Sequence, residues 1–182
     1  TVDEGQTAGN TGTFGDAFDP VTLSASVGTV TDEGGGTWSW SYTTSDGPAN
    51  SQTVTITATD DDTFSTATFS LTVNNVAPTA TLSNNGPVAE GSPATVSFSG
   101  QFDPSSADTS AGFHYAYSCT NGDLSGATYA TSGTNASTSC TFADNGSYTV
   151  RARIIDKDNG YTEYTTTVTV TNVAPSVTAP AN

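Results

Sequence analysis

Carboxylates are the groups with chemistry to offer in this chain. Asp and Glu number 18 against 3 Lys and Arg and a single His, a formal charge of −15 over 182 residues. They recur in two series: Glu4, Asp16, Asp19, Asp60 and Asp62, then Glu90, Asp103, Asp108, Asp156 and Asp158 in corresponding order. Each series is expected to converge where the ends of a repeat meet, a glutamate after strand A joining the aspartates that follow strands B and F. Convergent carboxylates with so few cations nearby repel one another, and a bound hard cation is the natural compensation. Calcium takes roughly six to eight oxygen ligands and draws them from carboxylates and loop carbonyls. Asn75, in the stretch joining the two series, adds a candidate ligand. Magnesium demands a stricter octahedron, and His114 has no companion set for a softer metal. The competing reading is that Asp simply favours turns.

The same charge excludes several classes of function. An acidic field repels nucleic acid and anionic membrane surfaces. No apolar run approaches the ~18–20 residues needed to cross a bilayer. No signal peptide is visible, and the opening Thr1 suggests a processed product or an excised fragment. One His and scattered Ser residues supply no nucleophile, base and orienting group, so no enzymatic activity is expected. A carboxylate pair for glycoside hydrolysis is formally available, but a metal explains the acids better.

The elements that must position these groups are strands. Val54, Ile56 and Ala58 alternate with Thr53, Thr55 and Thr57; Val150, Ala152 and Ile154 alternate with Arg151 and Arg153. Apolar residues alternating with polar ones, Thr above all, are the pattern of a half-buried strand. No segment has convincing helical periodicity. Turn residues punctuate the runs at Ser45-Asp46-Gly47-Pro48, Asn84-Asn85-Gly86-Pro87 and Asn145-Gly146. Three motifs occur twice in the same order. Val2-Asp3-Glu4-Gly5 recurs as Val88-Ala89-Glu90-Gly91, Thr53–Asp62 as Thr149–Asp158, and Asn75-Val76-Ala77-Pro78 as Asn172-Val173-Ala174-Pro175. This duplication predicts an all-β chain of two tandem immunoglobulin-like β-sandwich domains, 1–77 and 78–174, with 175–182 a linker or the start of a following strand. The first repeat has no evident strand A before Val2. Pro78 holds the joint extended, which makes it short and stiff.

Cys119 ends the alternating run Tyr115, Tyr117, Cys119, and Cys140 lies between Thr138 and Phe142. Both fall on inward faces and are expected to form one disulfide, with reduced buried thiols the alternative. Tyr148, four residues after Asp144, looks like a tyrosine corner, bonding back to the preceding turn. The first repeat lacks that Tyr, so its turn should be longer and looser. Trp38, Trp40 and Tyr42 share one strand face and read as core, with a sugar-stacking platform the alternative. Tyr115, Tyr129, Tyr161 and Tyr164 are the other candidates for glycan contact.

The motifs just quoted, with Phe102-Asp103-Pro104 through Asp108 and Gly112-Phe113-His114-Tyr115, resemble the PKD-like and cadherin-like tandem repeats of bacterial surface proteins. Asn75-Val76-Ala77-Pro78 is similar to the calcium-binding joint between cadherin repeats. The Trp-Asp-Phe-Gly-Asp-Gly signature of typical PKD domains is absent, and the first repeat carries Asp16-Ala17-Phe18-Asp19 in place of the usual Asp-Pro loop. The resemblance implies an immunoglobulin-like fold, a stalk or adhesive role at the cell surface, and calcium. The expectation is an extracellular, calcium-rigidified stalk or spacer whose partners are neighbouring repeats or further copies of itself. Two alternatives stand beside it. The tail Val173–Ala179 resembles Val76–Thr81 and could complete the first domain of another copy, building a filament head to tail by strand addition. A carbohydrate-binding module for surface glycans is the other.

Overall fold

The computed structural model describes residues 1–16 and 19–178. Ala17, Phe18 and Ala179, which fall in motifs singled out above, lie outside the described residues. The chain divides into two compact units: Thr1–Val76 with Asp103–Ser110, and Ala77–Phe102 with Ala111–Asn182. Asp103 and Asp108, read in the sequence as part of the second repeat, thus count with the first unit.

The first unit contains β1 (Val2–Asp3), β2 (Thr7–Thr13), β3 (Thr22–Ala25), β4 (Thr29–Gly34), β5 (Thr37–Thr43), β6 (Gln52–Thr59), β7 (Phe64–Leu71) and β8 (Val73–Asn74). They form one antiparallel sheet in the order β2-β5-β4 and another in the order β3-β6-β7, with β1 running parallel to β8. The inward residues of the alternating runs make the core: Ala8, Trp38, Trp40, Val54, Ile56, Leu71 and Val73. Trp38 and Trp40 are therefore packing residues and offer no sugar platform. The Trp40 indole donates to the Val27 carbonyl at 2.7 Å and meets Phe69 edge-on at 5.0 Å.

The second unit contains β9 (Thr79–Asn84), β10 (Val88–Ala89), β11 (Pro93–Phe102), β12 (His114–Ser118), β13 (Ser137–Thr141), β14 (Gly146–Ile155) and β15 (Tyr161–Thr171). Its sheets run β13-β11-β9 and β10-β15-β14-β12. A two-sheet antiparallel sandwich with a short parallel strand added to one edge is the immunoglobulin-like arrangement, and the fold is all-β and immunoglobulin-like. Two core clusters fill it, one around Val96, Val150 and Val168 and one around Phe98, Tyr115, Ala152 and Ile154. Cys119 and Cys140 are joined in a disulfide against the first cluster. Tyr148 donates to the Asp144 carbonyl at 2.9 Å and stacks on Phe142 at 4.2 Å, which is the tyrosine corner.

Three local readings change. A helix, α1 (Ser106–Ala111), occupies the acidic loop after β11; its 6 residues are too few to show a period in sequence. Arg153, on the polar side of β14, is only 6% exposed. Its guanidinium lies 3.9 Å from the centre of the Tyr161 ring and its Nε donates to Glu163 at 2.7 Å, so aromatic and carboxylate together cover that face. The turn between β5 and β6 is longer than its counterpart between β13 and β14, but it is not loose. The Asn50 carboxamide oxygen accepts from Ser45 N at 2.8 Å and Asp46 N at 3.0 Å, doing locally what the tyrosine does in the second unit.

Candidate metal centre

Glu4 sits between β1 and β2 and is fully buried. Its neighbours follow from the hydrogen bonds that close the strand ends. Glu4 N donates to Asn74 O and Gly5 N to Thr44 O, both at 3.0 Å, which draws this bend against the end of β8 and the β5–β6 turn. The carboxylate then accepts twice from backbone: Oε2 from Gly47 N at 2.7 Å and Oε1 from Val76 N at 2.8 Å. Hydrogen bonds from main-chain N–H groups to a carboxylate are charge-assisted and fix its position.

The segment Asp103–Ser110 meets this bend. Gly5, at φ +74°, lies so close to Pro104 that an added Cβ would stand 2.8 Å from the Pro104 carbonyl oxygen. Ser105 Oγ donates to the Ser45 carbonyl at 2.8 Å and accepts from Asp108 N at 3.1 Å, while Asp103 Oδ1 accepts from Ser105 N at 2.7 Å. Ser105 and Asp108 are fully buried. One carboxylate oxygen each from Glu4, Asp46 and Asp108 then lies within 4.8 Å of the other two. Residues 1–76 and 103–110 contain no Lys, Arg or His. One carboxylate oxygen from each of three residues, two of them fully buried, makes a compact set of hard donors. Hard oxygen donors from three distant stretches of chain suit calcium far better than a thiolate- or imidazole-seeking metal.

Neither glutamate meets the aspartates of its own series. Glu4 precedes β2 and Asp16 follows it; the strand has 7 residues, about 23 Å at ~3.3 Å per residue. Glu90 and Asp103 are separated likewise by the longer β11. Each glutamate therefore lies at the opposite end of a strand from the aspartates with which its series grouped it. Those aspartates are chiefly turn residues. Asp16 Oδ1 accepts from Asp19 N at 3.0 Å, and Asp60 Oδ1 from Asp62 N at 2.9 Å and Thr63 N at 2.6 Å. Asp156 Oδ1 accepts from Asp158 N at 2.9 Å and Gly160 N at 2.8 Å, and Asp158 is paired with Lys157. Asp19 and Asp62 are exposed, and Asn75 is half-buried. Asp46 was not among the sequence candidates, because Ser-Asp-Gly-Pro reads as a turn and nothing more. Its counterpart position in the second repeat, Asp144, was the available signal.

Glu90 repeats the Glu4 geometry in part. Glu90 N donates to Thr171 O, Gly91 N donates to Phe142 O, and Glu90 Oε1 accepts from Val173 N at 2.8 Å. The four tyrosines considered for glycan contact do not gather. Tyr115 is buried in the core, Tyr129 stacks on His114 with centroids 3.8 Å apart, Tyr161 is covered on one face by Arg153, and Tyr164 is half-buried and meets Phe98 edge-on at 5.6 Å. The Tyr164 hydroxyl oxygen also accepts from Ala80 N at 3.0 Å. No helix among the described residues is long and apolar enough to cross a membrane.

No protein-family model and no curated protein matches the chain. Similar solved structures include the titin domains Z1Z2 in complex with telethonin, at 17% identity and a TM-score of 0.46 over 96% of this chain and 93% of that one. The ectodomain of mouse nectin-like molecule 4 is similar at 13% identity and a TM-score of 0.38, covering 97% of this chain and 63% of that one. An endo-fucoidan hydrolase of glycoside hydrolase family 107 is similar at 16% identity and a TM-score of 0.39, covering 96% of this chain and 28% of that one. At these identities and scores, nothing about activity or partners transfers from them.

Proposed function

We propose that this chain is an extracellular structural or adhesive module, of the PKD-like or cadherin-like kind, whose first unit is stiffened by a calcium ion held by Glu4, Asp46 and Asp108. The observation that carries the reading is the meeting of these three carboxylates from distant parts of the chain. An ion there would tie the Val2–Gly5 bend, the β5–β6 turn and α1 to one another. The result is a rigid spacer, which is what a stalk that displays or spaces something away from a cell needs. Asp103, five residues before Asp108, and Asn75, next to the Val76 whose N–H bonds Glu4, are candidates to supplement them.

Both Trp residues, Trp38 and Trp40, lie in the first unit, so Trp fluorescence follows its unfolding alone. Melting should shift upward in millimolar calcium relative to EDTA, and by less in magnesium. Asp46→Asn should remove that calcium increment without disturbing the two main-chain bonds to the Glu4 carboxylate. Identical melting in calcium and EDTA would remove the metal from the proposal.

A further inference from the structure

The second unit has an unfilled place along β14. Antiparallel ladders alternate hydrogen-bonded and non-hydrogen-bonded pairs. Asp156 N donates to Gly160 O at 3.0 Å, and the register of β14 with β15 runs unbroken from there to Gly146 opposite Val170. Even-numbered residues of β14 therefore bond toward β15, and odd-numbered ones turn their main-chain groups toward β12. Tyr115 shows the same parity from the other strand: it lies opposite Ile154, and its N–H and C=O pair with Gly133 on the far side. β12 ends at Ser118, opposite Arg151. The chain then turns off, with Asn121 at φ 57° and Gly122 N donating to Ser118 Oγ at 2.7 Å. The main-chain groups of Thr149 and Ser147 are left pointing past the end of β12, with no strand beside them among the described residues.

A cleft of about 450 Å³ lies in that gap. Thr120 and Asn121 line it from one stretch of chain, Ser147 and Thr149 from another, and Phe142 and Tyr148 give it an aromatic lining. The two rings are stacked at 4.2 Å and the Tyr148 hydroxyl donates to Asp144 O at 2.9 Å, so the apolar surface is already fixed in place. No residue that lines the cleft is charged.

From this we infer that the gap is a strand-addition site for an extended segment of another protein, apolar at its centre and basic at its flanks. The segment lies antiparallel to β14 in the line of β12. Its main chain bonds the open groups of Thr149 and Ser147, and the residue between the two bonded positions points to the same side of the sheet as Tyr148, into the cleft. Open N–H and C=O groups at strand spacing are the complement of another main chain, and buried ones need such a partner. Charge selects the occupant. The chain carries −15, and exposed Asp123 and Asp144 stand two residues beyond Asn121 and Phe142. The nearby Arg151 is already engaged by Glu163 and Asn121. This field draws basic flanks in and repels a second copy of the chain. No residue of the proposed metal centre takes part.

The parity of the ladder fixes the test. The probe is the capped peptide acetyl-Lys-Val-Thr-Phe-Thr-Val-Lys-amide, titrated into the full chain and followed by nuclear magnetic resonance of the backbone amides. The Ser147 and Thr149 amides should shift and exchange more slowly with solvent. N-methylation of both Thr residues of the peptide should weaken binding about tenfold or more, because it removes the two bonds to β14. N-methylation of the Phe, whose N–H faces away from β14, should leave binding unchanged. Thr149→Pro deletes the N–H aimed at the gap without touching the ladder to β15, a position where Pro is tolerated. It should abolish the response to the peptide and keep the dichroism of the folded chain. Equal binding of the two methylated peptides, or no shift at Ser147 and Thr149 at millimolar peptide, overturns the site. Shifts there with the neutral disaccharide maltose and none with the peptide would make the cleft a sugar site and overturn the peptide as occupant.

Discussion

The ladder of β2 with β5 in the first unit corresponds to that of β11 with β13 in the second, and the two are filled with opposite side chains. Where the second unit puts Phe98 on β11 and Ala136 beside it, the first puts Gly12 on β2 and Trp38 on β5. An added Cβ on Gly12 would stand 2.5 Å from the Trp38 ring, so the indole occupies the space that Phe98 takes in the other unit. The large residue has moved from one strand to its neighbour. Cores tolerate such exchanges when total volume is kept, so the pair, and neither residue alone, is the unit of packing. The two glutamate bends teach a second lesson. Glu4 and Glu90 have the same backbone setting, but Glu4 accepts two main-chain N–H groups and is fully buried, whereas Glu90 has one such bond recorded and is partly exposed.

Breaking the packing exchange should have the largest effect. Trp38→Ala should destabilise the first unit by about 3–5 kcal/mol, the range for deleting a buried large aromatic. Gly12→Phe alone should also destabilise it by forcing Trp38 out of its seat. The double variant Gly12→Phe/Trp38→Ala should be more stable than either single one, as judged by urea unfolding of the far-ultraviolet dichroism. If the two single losses simply add, the exchange is not a packing unit. Next comes the staple that only the second unit has. Replacing Cys119 and Cys140 by Ser should cost about 3 kcal/mol in the loop-entropy account. The loss should appear in the tyrosine signal of the second unit and leave the Trp signal of the first untouched.

The glutamates sharpen the comparison at smaller cost. Glu4→Ala leaves Gly47 N and Val76 N without their acceptor and should cost about 2 kcal/mol, while Glu90→Ala should cost about 1 kcal/mol. Equal losses would mean that burial at Glu4 adds nothing. The smallest effect is a pH slope confined to the second unit. The Arg153 hydrogen bond, aided by Arg151, holds the Glu163 carboxyl below its ordinary value of 4.5. A lowered folded-state pKa means that the unfolded chain binds the proton more readily, so the contribution is present above the ordinary value and is lost as pH falls through the folded one. Glu163→Gln should flatten the acid limb of the second unit's stability curve and leave the first unit's limb unchanged.

Strands, repeats, the inward cysteines and the tyrosine corner were all legible in the sequence, because each rests on local alternation or a fixed short spacing. Val54 and Val150 announce their faces two residues at a time. The candidate centre was legible only in its residue types. Glu4 was grouped with Asp16 and Asp60 because order along the chain resembles order in space until a strand intervenes. The length of β2 alone argues against that grouping, and strand length was the clue left unused. Asp46 stayed hidden for a different reason: a turn aspartate and a ligand aspartate look alike until a distant segment arrives beside one of them. Arg153 was assigned to the polar face correctly, but only the positions of Tyr161 and Glu163 on the neighbouring strand make that face a covered one.

Arg151, Arg153 and Lys157 are the sole basic side chains, and all three fall in β14 or the turn that follows it. A protease of trypsin-like specificity therefore finds its only scissile bonds within or just beyond a strand hydrogen-bonded on both sides. Digestion must wait for that sandwich to open, so its rate reports the opening of the second unit. The first unit offers such an enzyme no site even when fully unfolded.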